Sequence, residues 1–184
     1  ATSWHQGQVI RLEESNAPWV LTDDFLEYSV VPLALDEFLA NRNRYRLAFT
    51  QRPVERWLCA RRFINVPCVC VADAQAIAEE AKHVYEIEGL KVEVRLLNGL
   101  NEIVTHTTRG EDILCGNEQC IQSGLVVFED LRIMEVSSKH KKLHFRLHFS
   151  LTDGTTCFQS MVSEPMIIYG KVQTLQRREN KEPV

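Results

Sequence analysis

Leu143-His144-Phe145-Arg146-Leu147-His148-Phe149-Ser150-Leu151 alternates without a slip. Leu143, Phe145, Leu147, Phe149 and Leu151 fall on one face, and His144, Arg146, His148 and Ser150 fall on the other. A period of two marks a β-strand with one buried and one wet face, whereas a helix would smear the large apolar residues around its circumference. The polar face is basic and continues back through His140 and Lys142. The stretch therefore predicts a β core that carries cationic surface.

Working outward, the same alternation recurs. Tyr45, Leu47 and Phe49 oppose Arg44, Arg46 and Ala48, and Pro53 then breaks the ladder because it has no N–H to donate. Val54 to Asn65 reads as an irregular segment, and Pro67 to Val71 as a short buried strand. Val92, Val94 and Leu96 share one side of a strand that turns at Asn98-Gly99, a strong hairpin signal, and returns through Glu102-Ile103-Val104. Ile113-Leu114 and Ile121 flank a turn at Gly116. Leu125 to Val136 reads as one long strand with a bulge near Glu129-Asp130. Asp153-Gly154 turns the chain into Thr155–Val162, and Pro165 introduces Met166 to Tyr169. Helical signals are few: Thr22-Asp23-Asp24 caps a run from Phe25 towards Ala40 that Pro32 would kink, and Asp73 caps Ala74 to His83. Many short strands with one or two short helices predict an all-β, immunoglobulin-like (Rel/p53-like) sandwich at 41–172. An N-terminal arm at 1–40 precedes it, and a basic polar tail at 173–184 follows.

The chain has 184 residues, 45% hydrophobic and 25% charged, which suits one soluble globular domain. No apolar run approaches the roughly 20 residues needed to cross a bilayer, so no membrane association is expected. Six cysteines without a dense framework suggest reduced thiols in an intracellular compartment. Cys115 and Cys120 could form half a zinc site, but no second pair has ligand spacing, so no metal or other cofactor is expected.

The net charge of −4 hides a local excess. Arg42, Arg44, Arg46, Arg52, Arg56, Arg61 and Arg62 lie in one short segment opposed only by Glu55, while the preceding residues are acidic. Arg offers a planar fork of donors that grips phosphate or the edge of guanine, and local field governs where an anion binds. Composition alone leaves open a plain solvated strand paired with the acidic leader. Lys139, Lys141 and Lys142 form a turn that could hold phosphates or simply keep the tip soluble. The histidine face of His140, His144 and His148 reads chiefly as exposed polar surface, and as a zinc-enzyme site only remotely. No nucleophile beside a base, carboxylate pair or phosphate-cradling glycine loop stands at usable spacing, so no catalysis is expected.

Tyr45 to Cys59, Arg61-Arg62, Pro67 to Val71, Phe128 to Ile133, Phe145 to Leu151 and Ser163 to Tyr169 together resemble, in order over about residues 44–170, a divergent fungal velvet domain. Other Rel-like sandwiches share the later strands. The Gly-Phe-Gly and Lys-Asp elements usual between the cysteine and the arginine pair are missing. The resemblance implies a nuclear transcription regulator, shuttling from the cytoplasm, that binds double-stranded DNA through loops at one end of the sandwich as a homo- or heterodimer. By position it makes Arg52, Arg56, Arg61 and Arg62 the DNA-contacting residues. Arg44, Arg46, Lys139, Lys141, Lys142, Lys171, Arg177 and Arg178 join them as expected contacts. The alternative is a protein-interaction or dimerisation module without direct DNA binding.

Overall fold

A computed structural model describes residues 5–12, 28–75 and 83–179. The chain is an all-β sandwich, with two short helices given in full among the described residues. Its centre is β12 (Arg146–Thr152), antiparallel to both β6 (Lys91–Leu97) and β13 (Cys157–Val162). From β6 the sheet continues to β7 (Ile103–Val104) and β9 (Glu118–Cys120). The facing sheet holds β2 (Tyr45–Gln51), β4 (Cys68–Asp73) and β10 (Leu125–Val127), with β4 in the middle.

The two sheets meet through aromatic rings. Phe149 of β12 contacts Phe49 of β2 edge-on, with ring centroids 5.2 Å apart, and also Phe128, at 5.6 Å. All three are fully buried, as are Leu147, Leu151, Val92, Val94 and Leu96 on the same layer. Each such side chain contributes roughly 1.5–3 kcal/mol by leaving water, which is why the alternating residues dictate which face turns inward.

Three two-stranded pairs complete the architecture. β1 (Ser29–Pro32) runs parallel to β5 (His83–Glu86), β8 (Leu114–Cys115) antiparallel to β11 (Arg132–Ile133), and β3 (Arg56–Leu58) parallel to β14 (Ile167–Tyr169). Helix α1 (Leu35–Ala40) is anchored by fully buried Phe38, whose ring lies 6.1 Å from Tyr45 and 6.2 Å from Phe158. Helix α2 (Val172–Glu179) packs against β3 and β14.

Several expectations are corrected. The polar face of the opening stretch is not wet: His148 and Ser150 are 3% and 2% exposed, and Arg146 is half-buried. A strand with a neighbour on each side has little free surface, and the long side chains of Arg95 and Glu93 on adjacent β6 lie over the same face. Leu143, expected in the core, is 61% exposed in a 3-10 turn with φ +57° and does not join β12. Pro32 closes a strand instead of kinking a helix, and residues 22–27 of that expected helix lie outside the described residues. Asp73 does accept the Gln75 N–H at 2.9 Å, but residues 76–82 lie outside the described set and His83 opens β5. The phase shift at Glu129-Asp130 is a full turn between β10 and β11, not a bulge. The segment after Val54 contains β3, and the tail begins as α2. All six cysteines are free, and burial pushes the Cys70 thiol up to about 12.

Candidate nucleic-acid interface

The arginine segment is divided by β2. Arg44 and Arg46 stand at its start and Arg52 just past its end. At about 3.3 Å per residue the two groups are roughly 20 Å or more apart. They cannot act as one patch, contrary to the expectation from their crowding in sequence. Arg44 is committed elsewhere, since its Nε donates to Asp73 Oδ2 at 2.6 Å and Asp73 is 2% exposed. Arg46 lies half-buried across from Ala72.

Arg61 and Arg62 sit where two parallel strands end, whereas Arg56 opens the first of them and Arg52 precedes it. Because β3 and β14 run in the same direction, the turn after β3 and the Gly170-Lys171 link to α2 emerge at the same end of the molecule. That turn is held from several sides. Cys59 N–H donates to Tyr169 O and Ala60 N–H to Ile133 O, both at 2.8 Å. Trp57 donates its indole N–H to Arg61 O at 3.3 Å and stacks on Phe63 at 6.0 Å. Ala60 adopts φ +57°, a conformation costly for a residue with a Cβ, and these bonds hold it there. Arg61 and Lys171 are exposed at this end; Arg52, which precedes β3, is exposed too, while Arg56 at the start of β3 is half-buried and already engaged. A loop fixed in advance loses little entropy when it grips a ligand.

Arg62, 67% exposed, pairs with Asp130 at 2.8 Å, and Asp130 is itself 59% exposed. The turn bearing Asp130 rests directly on Gly116. A Cβ at Gly116 would lie 2.5 Å from the Asp130 carbonyl carbon and oxygen. Glycine is therefore required there twice over, by contact and by its φ of +66°.

The expected lysine turn divides as well. Lys139 donates to Glu135 at 2.9 Å, and Glu135, 5% exposed, also receives Thr108 N–H, the Thr108 hydroxyl and His140 Nε2. Burial pushes this carboxyl up, but the hydrogen bonds outweigh it and hold its pKa down at about 2. Glu135 and Lys139 both act on the half-buried Cys59 thiol, which places them beside the arginine turn. Lys141 instead reaches Glu102 in the β6–β7 hairpin at 3.0 Å. Lys142 lies in a 3-10 turn, and Arg177 and Arg178 lie on α2; their side chains are outside the described set.

The histidine face does not act together: His140 is held by Glu135 and His148 is buried. His148 makes a 3.3 Å contact with Ser150, and burial, helped by nearby Arg95, lowers its pKa to about 4. Among the described residues no group of three or more His, Cys, Asp or Glu could hold a metal ion, and no helix is long and apolar enough to cross a membrane. Sequence reading missed Trp57 as a brace, Asp130 as a partner of Arg62, and Glu135 as a hub. A tryptophan set between arginines was the available signal for the first.

Residues 50–183 match the family model described as the DG1062 N-terminal domain. The chain belongs to that family. No curated protein matches it. The stretch assigned to the DG1062 N-terminal domain takes in the Arg52–Arg62 loop, the Asp130 turn, Gly116 and α2, and leaves out α1, Arg44 and Arg46.

Proposed function

We propose that this DG1062 N-terminal domain is a transcription regulator of the Rel-like, velvet-related kind that binds duplex DNA through one end of its sandwich. The observation that carries the reading is the parallel pairing of β3 with β14, which gathers Arg61, Arg62 and Lys171 at one end beside α2. Arg61 and Arg62 present their forks to base edges, and Arg52 and Lys171 contact phosphate. Lys139 lies close enough to add to the local field. Such a regulator acts in the nucleus, as a homo- or heterodimer.

The test is a selection of bound duplexes from a random pool, followed by anisotropy titrations over a range of salt. Arg61→Ala is expected to cost about 1–3 kcal/mol of specific binding and to relax one base position. Arg44→Ala, roughly 20 Å away along β2, leaves DNA affinity unchanged. No retention of any duplex at low salt refutes the reading.

One feature favours a second reading, a protein-interaction module without DNA contact. Arg44, Arg62, Lys139 and Lys141 are each already paired with a carboxylate. Under this reading the titration fails at every salt concentration, while sedimentation shows a stable dimer or complex.

A further inference from the structure

A second surface is built from elements other than those of the basic end. The Pro32–Leu35 link, the Glu86–Lys91 turn between β5 and β6, and Cys120-Ile121 at the end of β9 enclose an open groove of about 990 Å³. Its apolar floor is Leu33, Ile87 and Leu90, none more than 5% exposed. Leu35 on one wall is 37% exposed, with Leu39 and Val30 similarly open nearby. The rim is acidic. Glu86 and Glu88 are exposed and have no ion-pair partner among the described residues, and Asp36 and Glu37 follow on the first turn of α1. The cation at the groove, Lys91, is committed to Glu118 at 2.8 Å and to Glu93 at 3.7 Å. Strand β1, which leads into the groove, pairs among the described residues with β5 alone.

We propose that this groove docks an extended peptide segment of a partner protein, with apolar side chains flanked by lysine or arginine. The apolar floor takes alternate side chains. The uncompensated carboxylates select positive flanks and reject acidic ones. Among the described residues no strand pairs with the other side of β1, whose main-chain donors and acceptors suit a strand laid beside it. The inference is independent of the DNA reading, because none of these residues belongs to the arginine turn.

The test uses the full chain and three sets of fluorescein-labelled ten-residue peptides. One alternates Leu or Val with Lys or Arg, one replaces the basic residues by Glu, and one replaces the apolar residues by Ser. Saturable binding of the first set alone is expected, weakened about tenfold or more by the double substitution Glu86→Lys, Glu88→Lys. Leu35→Ser should weaken it as well, and Arg61→Ala should leave it unchanged. Should the double variant fail to fold, Glu88→Gln replaces it, with a smaller loss in the same direction. Equal binding of the acidic or serine peptides, indifference to these substitutions, or no binding of any set overturns the proposal. So does self-association of the chain that is abolished by the groove substitutions, since the occupant would then be a second copy.

Discussion

Lowering the pH should destabilise the domain through His148 before any carboxylate contributes appreciably. Its imidazole lies on the outer face of β12, 3% exposed, across from Arg95 of β6 and Val162 of β13, with Ser150 two residues along and Glu93 one rung away. Burial and the Arg95 charge lower its pKa from the ordinary 6.5 to about 4. The unfolded chain therefore binds a proton at higher pH than the folded one. The stabilisation is complete above pH 6.5 and is lost as the pH falls towards 4. Linkage puts the loss at about 2 kcal/mol by pH 5 and about 3 kcal/mol by pH 4. Urea unfolding followed by tryptophan fluorescence at intervals from pH 8 to 5 measures it, with His148→Gln as the comparison. Gln cannot titrate and retains a polar group for Ser150. The other five histidines are common to both proteins, so the difference between the two profiles isolates His148. Parallel profiles would refute the reasoning, because a solvated imidazole has no such difference to lose. Glu135 acts in a separate window. Its folded pKa of about 2 lies below its ordinary 4.5, so its contribution is present above 4.5 and disappears only below the range of this assay.

Gly116→Ala should displace the Asp130 turn and destabilise the fold by about 1–3 kcal/mol, since both the close approach and the positive φ penalise a Cβ. Amide shifts at Glu129–Leu131 report the movement, and unmoved resonances would contradict it. Asp130→Asn should free Arg62 and strengthen duplex binding, steepening the logarithmic salt slope by about 0.9; unchanged affinity and slope count against Arg62 as a contact. Arg44→Ala should lower the urea midpoint, whereas Arg62→Ala should leave it nearly unchanged. Equal effects would mean that the two ion pairs do not differ in kind.

The β architecture was legible where alternation and turn chemistry agreed. Tyr45, Leu47 and Phe49 face the core as their period requires, and Asn98-Gly99 closes the β6–β7 hairpin. Two kinds of error came from what a period of two does not record. It says that two faces differ, not that one of them is wet, so the neighbours that cover His148 and Ser150 could not be foreseen from β12 alone. It also breaks in the same way at a bulge and at a turn, which is why Glu129-Asp130 read as the former. Strand β3 is three residues long and stands because β14 pairs with it from more than a hundred positions away, a contact with no local signature. Charge was legible in amount but not in allocation: seven arginines between Asn41 and Arg62 read as one patch, yet β2 and then β3 divide them.

What sorts these cations is the exposure of the acid each one holds. Asp73 and Glu135 are 2% and 5% exposed, so a carboxylate there has almost no water to return to if Arg44 or Lys139 is diverted to another anion. Losing the partner would leave a buried charge uncompensated, and that penalty falls on folding. Asp130 is 59% exposed, and water replaces Arg62 at little cost, as is general for surface pairs. A guanidinium can be lent to phosphate only where its carboxylate can be resolvated. By that criterion Arg62 is available to a ligand and Arg44 and Lys139 are fixtures of the fold. Lys141 stands between them, because Glu102 is 21% exposed and also receives the Asn98 amide. Of the expected contacts whose side chains are described, Arg61, Arg62 and Lys171 thus remain free for an anion at the β3–β14 end.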